Sequence, residues 1–271
     1  MSANLLGTDV EGILGRVLEA DPECLYVVNP SAAVLEQLVY ATVGSAGPEI
    51  RVLGEDETLK RVMEDFLVAS KAADLVEADR VAIRSVPENG RTAMFLTDDQ
   101  VTALVQAGDQ VGGLSTTDRE FTSSVLEAVE TEWEAAEEFR LRTPALSRIT
   151  ETLELDLEPC VREDFESLLG ALETAKGNGT GLDEVTISLL VAAKNNVLLY
   201  DISKWGEDVG IASKATFSRT KTKLEDKGLI DTEKVPIDVG RPRLRLKLQD
   251  ERLLDADPAE MAAIASEVLA N

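Results

Sequence analysis

The chain contains no histidine, and its two cysteines, Cys24 and Cys160, stand far apart with no Cys-x-x-Cys pair. Zinc sites draw on clustered Cys and His ligands, and most general acid–base pairs draw on His, so this composition excludes a structural zinc centre and histidine-based catalysis. Both cysteines read as packing or incidental residues. No stretch approaches the ~18 to 20 uninterrupted apolar residues of a membrane span, and the N-terminus lacks a basic region followed by an apolar run and a small-residue cleavage site. A soluble, cytoplasmic protein with no membrane partner is expected. Basic side chains are scarce: 27 Lys+Arg face 51 Asp+Glu, a formal charge of -24. A compact fold with that charge repels itself unless dense salt screens it. Because the carboxylates are spread along the chain instead of forming a tail, the composition points to a halophile.

What is present divides unevenly. Residues 1–140 carry 10 basic and 27 acidic side chains, whereas residues 211–247 carry 10 basic and 5 acidic ones. General acidity alone would remove such a basic island, so an anionic partner is expected there. At 271 residues the chain also exceeds the usual single-domain size, which predicts two domains.

Short apolar runs at residues 24–28 and 50–53, each followed by a helix-compatible stretch, predict alternating strands and helices. Leu59, Val62, Phe66 and Ala69 predict one amphipathic helix over residues 55–73. Residues 81–86 and 92–96 flank Pro87-Glu-Asn-Gly90, a turn signal that predicts an antiparallel hairpin within a mixed sheet. Asp98 and Asp99 fit a metal or acid–base pair on one reading and caps of a following helix on the other, and capping is favoured. Phe121, Val125, Val129, Trp133 and Ala136 predict an apolar stripe on a long helix that closes the first domain.

Residues 141–160 show no clear period and are read as the domain connection. A helix from Val161 to about Ala175 leads into the glycine-rich residues 176–181. These are not read as a phosphate loop, because they follow a helical pattern and end in Gly181-Leu-Asp183 instead of Gly-Lys-Ser/Thr. The resulting layout is an α/β domain (1–140), a connecting helix and linker (141–181), an α+β domain (182–249) and a C-terminal helix (250–271). Asp257-Pro258 opens that last helix with cap and first-turn proline in the favoured order.

The functional signal lies in residues 182–249. A helix carrying Val185, Leu189, Leu190, Ala193 and Val197 on one face precedes a shorter one over residues 201–208, and Val209-Gly-Ile211 marks a turn. Ser213 then caps a third helix in which Phe217, Thr220 and Leu224 point inward and Lys214, Thr216, Ser218, Arg219 and Thr222 stay outside. Gly228 stops that helix. Leu244, Leu246 and Leu248 alternate with Arg243, Arg245 and Lys247, which predicts a hairpin with one core face and one cationic face and with Arg241 near its tip.

The third helix resembles the recognition helix of winged helix-turn-helix regulators, whose pattern runs Gly-Ile-Ser-Lys-x-Thr-Val-Ser-Arg, a basic stretch, then Leu-Glu-x-Lys-Gly-Leu-Ile. Two departures stand out: Ala212 is an extra turn residue, and Lys221 sits where such helices carry an aliphatic side chain. Residues 92–100 and 133–139 also resemble phospholipase-D-like sensor domains attached to archaeal regulators. Catalytic members of that superfamily use His-Lys-Asp motifs, which a chain without histidine lacks. With its acidic α/β first half, the Trp205-Gly-Glu-Asp-Val-Gly-Ile turn and the Gly240-Arg-Pro-Arg wing, the chain is similar to haloarchaeal TbsP-type transcription regulators. The resemblance implies promoter binding and control of metabolic genes by a dimer.

The expectation is therefore a non-enzymatic, sequence-specific DNA-binding regulator without a cofactor. Ser213, Lys214, Thr216, Ser218, Arg219, Thr222, Lys223, Arg241, Arg243 and Arg245 are its candidate contacts to double-stranded promoter DNA, and Arg219 is the base-reading side chain. A homodimer would read a pseudo-palindrome, and the first domain would take a small-metabolite effector, form the dimer, or do both, with both favoured. The alternative is a scaffold that uses its winged helix for protein contacts.

Overall fold

The computed structural model describes residues 4–7, 10–19, 21–87, 90–107, 110–172, 182–237 and 242–270. The chain forms two compact units: Met1–Met63 with Lys71–Leu141, and Glu64–Ser70 with Arg142–Asn271. The glycine-rich residues 176–181 and Asn89 of the anticipated turn lie outside the described residues. The architecture is a mixed sheet with helices in the first unit and a helical, winged second unit.

In the first unit the elements are β1 (Asn4–Gly7), α1 (Val10–Leu18), β2 (Cys24–Val28), α2 (Ala32–Thr42), β3 (Glu49–Glu55), α3 (Asp56–Val62), α4 (Phe66–Glu77, begun in the second unit's segment), β4 (Val81–Val86), β5 (Met94–Leu96), β6 (Val101–Ala107), β7 (Gln110–Thr116), α5 (Arg119–Ala135) and β8 (Glu137–Glu138). The sheet order is β1-β7-β6-β5-β2-β3-β4-β8. Strands β2, β3 and β4 run parallel, and the remaining pairings are antiparallel. Central strands covered on both faces need continuous apolar sequence, as Leu25-Tyr-Val-Val28 supplies. Tyr26 and Val28 join Leu53, Val86, Leu96 and Val101 beneath Val129 and Trp133 of α5. Cys24, half-buried at the start of β2, has its thiol pKa pushed up to about 11 by burial, which fits a packing role and leaves it a poor nucleophile.

Four local expectations are corrected here. The anticipated β4–β5 hairpin does not form. β4 pairs with β3 and β8, while β5 lies beyond β2, with β2 and β6 as partners. A turn signal dictates a local reversal but not the strand's neighbour, and by crossing over β5 satisfies both of its edges. The single helix over residues 55–73 is two helices. Met63 ends α3, and the buried Asp65 carboxylate accepts the Leu67 amide at 3.0 Å to start α4.

Asp98 and Asp99 cap no helix. They occupy the turn between β5 and β6, where the Thr97 amide donates to the Gln100 carbonyl at 2.9 Å. Phe121 points to solvent at 52% exposure, whereas Thr122, Val129 and Trp133 form the buried face of α5. Repeated steps of four advance about 40° each around a 3.6-residue helix, so a stripe aligned at Trp133 has rotated off the core by Phe121.

The second unit contains α6 (Leu146–Asp156), α7 (Pro159–Gly170), α8 (Glu184–Lys194), α9 (Leu199–Val209), α10 (Lys214–Asp226), β9 (Ile230–Val235), β10 (Arg243–Leu248), a 3-10 turn (Glu251–Leu253) and α11 (Pro258–Ala270). Helix α6 occupies the stretch that showed no clear period, because Ile149 and Leu153 alone are buried in it, while Leu155, 74% exposed, blurs the apolar pattern. Helix α8 is buried from Val185 through Ala193 and not on one face alone, with α7, α9, α10 and β10 packed around it. Phe66 and Leu67, Ile149 and Leu153, Val161 and Phe165, and Met261 and Ala265 join the same core. The Trp205 indole packs edge-on to Phe165 and donates to Thr152 Oγ1 at 2.9 Å, so its buried N–H is satisfied.

Because Ile149 is fully buried, Ile149→Ala is expected to destabilise the second unit by about 2 to 5 kcal/mol. Urea unfolding followed by Trp205 fluorescence in a Trp133→Phe background measures this. An unchanged midpoint would show that α6 is not part of that core.

Candidate nucleic-acid interface

Helix α9 ends at Gly210, whose φ of 95° is left-handed backbone that a side chain would strain. The amides of Ile211 and Ala212 both point back to the Gly206 carbonyl, at 2.8 and 3.3 Å. The extra turn residue Ala212 is thereby absorbed, half-buried against the core. Ser213 accepts the Thr216 amide at 3.2 Å and starts α10, as its position predicted. Phe217 and Leu224 are fully buried, and the Phe217 ring lies directly against Gly206: a Cβ there would sit 2.3 Å from two ring carbons.

Helical geometry then places Ala215, Arg219, Thr222 and Asp226 farthest from the core, flanked by Ser218 on one side and Thr216 and Lys223 on the other. All but Thr216 are exposed. Arg219 donates to Thr216 Oγ1 at 3.3 Å, and Thr222 Oγ1 donates to the Ser218 carbonyl at 3.1 Å. Lys214 falls on the flank facing α9. Its ammonium contacts Glu207 at 2.8 Å and its amide donates to the same carboxylate at 3.2 Å. The side-chain bond first and the amide bond after it hold the Glu207 carboxyl below the ordinary glutamate range, and the side-chain bond raises the Lys214 ammonium. Lys221, the second departure from the familiar pattern, buries its stem. It pairs with Glu225 at 2.6 Å, and the other Glu225 oxygen accepts from Thr232 Oγ1 at 2.9 Å, which ties α10 to β9.

Strands β9 and β10 pair from Ile230↔Leu248 to Val235↔Arg243. Leu246 is fully buried, and its amide donates to the Val197 carbonyl at 3.0 Å, adding a short third edge beside Leu198↔Arg245. The opposite face of β10 carries Arg243, Arg245 and Lys247. The Arg243 guanidinium lies 4.4 Å from the centre of the Tyr200 ring and donates to Asp201 at 3.4 Å, while Lys247 pairs with Glu233 at 2.6 Å. Arg241 lies outside the described residues. Among the described residues, Arg219, Lys223 and Arg245 have no carboxylate within ion-pair distance.

The structure thus brings the described candidates together on α10 and the adjoining hairpin, and it adds three side chains that sequence reasoning missed: Tyr200, Asp201 and Glu207. The Arg243–Asp201 contact spans 42 residues, so no local spacing could announce it.

Gly206→Ala is expected to push the Phe217 ring out of its seat and destabilise the second unit by about 1 to 3 kcal/mol, read as a lower urea midpoint from Trp205 fluorescence; a wild-type midpoint would refute the contact. Because the Glu207 pKa is depressed, its pairing is present above the ordinary glutamate pKa and is lost as pH falls through the depressed value. An NMR titration should give Glu207 a midpoint below that of a free glutamate, moving upward in Lys214→Ala.

Two family models match the chain. The N-terminal model of TbsP-like transcriptional regulators matches residues 2–144, and the C-terminal helix-turn-helix model of the same regulators matches residues 145–266. No curated protein matches. Among solved structures, TrmBL2, an archaeal chromatin protein described as showing a novel mode of DNA binding, aligns at 14% identity and TM-score 0.39 over 51% of this chain and 54% of its own. NucT from Helicobacter pylori aligns at 10% identity and TM-score 0.33 over 51% of this chain and 99% of its own. The chain therefore spans about half the length of the first of these structures.

Proposed function

Since this chain belongs to the TbsP-like transcriptional regulators, we propose that it binds duplex DNA sequence-specifically, with α10 in the major groove and the β9–β10 hairpin on the flanking backbone. The observation that carries this reading is the outward pole of α10. Arg219 and Thr222 are presented there beside Ala215 and Asp226, with Ser218 on the flank, and Arg219 has no carboxylate within ion-pair distance among the described residues, in a chain of net charge -24. Arg219 reads a guanine edge. Lys223, Arg243 and Arg245 take phosphates, joined by Arg241, and Lys214, Thr216 and the cap Ser213 complete the contact surface.

In this reading two copies bind a pseudo-palindromic promoter, and the first unit supplies the dimer contact and the site for a small-metabolite effector. The protein works in the cytoplasm of a salt-loving archaeon on metabolic genes, without catalysis of its own or a cofactor. Dense salt leaves little free energy in counterion release, which shifts the burden of binding to direct hydrogen bonds and shape.

Genome-wide occupancy of the tagged protein in native salt tests the proposal. Wild type should give discrete promoter peaks. On duplexes taken from them, Arg219→Ala should lose about 1 to 3 kcal/mol of discrimination against random sequence, whereas Arg245→Ala should weaken cognate and random duplexes alike. An absence of wild-type peaks under several nutrient conditions would refute DNA regulation and favour a winged helix used for protein contacts.

A further inference from the structure

Helix α9 presents a carboxylate to each of the two DNA-facing elements. Asp201, in its first turn, holds Arg243 of β10 at 3.4 Å, and Glu207, two turns on, holds Lys214 of α10 at 2.8 Å. These pairs are open to water, with all four side chains between 39% and 44% exposed, so they are exchangeable and contribute little to stability. They also fall on cations of the proposed interface, whereas Arg219 at the outward pole of α10 faces no carboxylate among the described residues.

Resting on the DNA-binding reading, we propose that Asp201 and Glu207 are internal competitors of DNA phosphate, which lower sequence-independent affinity and flatten its salt dependence. A phosphate that engages Lys214 or Arg243 displaces a carboxylate, whereas a base contact by Arg219 displaces only the neutral Thr216 hydroxyl. Sequence-independent binding is almost wholly phosphate contact and counterion release, so it bears this displacement in full. Each displaced carboxylate regains a cation from solution, which offsets part of the counterion release from DNA. The offset grows as salt becomes denser. Tyr200 has a separate positioning part: its ring stays under the Arg243 guanidinium when Asp201 lets go, so the cation remains aimed along the same face of the hairpin.

The test is fluorescence anisotropy of the full chain on a random-sequence duplex and on a promoter duplex from the occupancy experiment, across a KCl series. Asp201→Asn with Glu207→Gln keeps polar side chains at both places. It should raise random-duplex affinity about three- to tenfold at the low-salt end and steepen the log–log salt slope by about 1 to 2. Glu154→Gln with Glu166→Gln is the control. It removes the same two charges from the second unit, but both carboxylates pair with Arg162, outside the proposed interface, and their loss should change affinity far less.

Random-duplex affinity that stays level or falls in the Asp201→Asn, Glu207→Gln variant, while Trp205 fluorescence shows a wild-type urea midpoint, would overturn the proposal, as would an equal rise in the Glu154→Gln, Glu166→Gln control. In either case wild-type binding and its loss of preference in Arg219→Ala would leave the DNA-binding reading standing. Failure of wild type to bind any duplex at any salt would remove that reading and this inference with it.

Discussion

The Phe217 ring sits on Gly206 because that glycine leaves nothing between the two helix backbones at their crossing. Once it is seated, α10 has no rotational freedom about its own axis, and the identity of every outward residue follows from helix geometry. Arg219 faces out because Phe217 and Leu224 face in. The Gly206 carbonyl also receives the amides of Ile211 and Ala212, so the same residue that admits the ring closes the turn leading to α10. Orientation of the candidate reading surface thus rests on a contact involving no charged group, which dissolved salt does not screen.

Charge is organised around that apolar seat. The basic island is not a uniform cationic surface: Lys214, Lys221, Arg243 and Lys247 are each paired with a carboxylate, on α9, α10, α9 and β9 respectively. Of these, the Lys221–Glu225 pair is the least exposed and links helix to strand through Thr232, which gives it a structural character. The open pairs leave their cations available to a stronger anion. A count of lysines and arginines therefore overstates the free positive charge, and only the fold reveals which cations are committed.

Much of the second unit was legible in the chain. Gly210 and Gly228 mark left-handed positions, Ser213 and Asp257 mark helix starts, and the alternation from Arg243 to Leu248 marks a two-faced strand. Each of these is a local rule of backbone or capping chemistry, satisfied within a few residues. Helix α6 escaped notice because a three-turn helix with two fully buried apolar residues carries too little period to stand out. In the first unit the strands themselves were readable where apolar runs were continuous. Their neighbours were not, and β5 shows why: Met94-Phe-Leu96 is equally suited to either side of the parallel strands, and the choice depends on which edges remain unpaired after β2, β3 and β4 assemble.

The sequence by itself determined the element types in the winged region, the turn at Gly210, the cap at Ser213 and the polar character of the exposed α10 face, because these depend on neighbours within one or two helical turns. It also determined the charge contrast between an acidic chain and a basic island, which is a matter of composition. Only the tertiary structure decided the order of the eight-stranded sheet, the break between α3 and α4 at a buried Asp65, the orientation of Phe121, and the partnership of Arg243 with Tyr200 and Asp201. Those features join residues far apart in the chain, and their energies depend on burial and on competing partners that exist only once the core has closed.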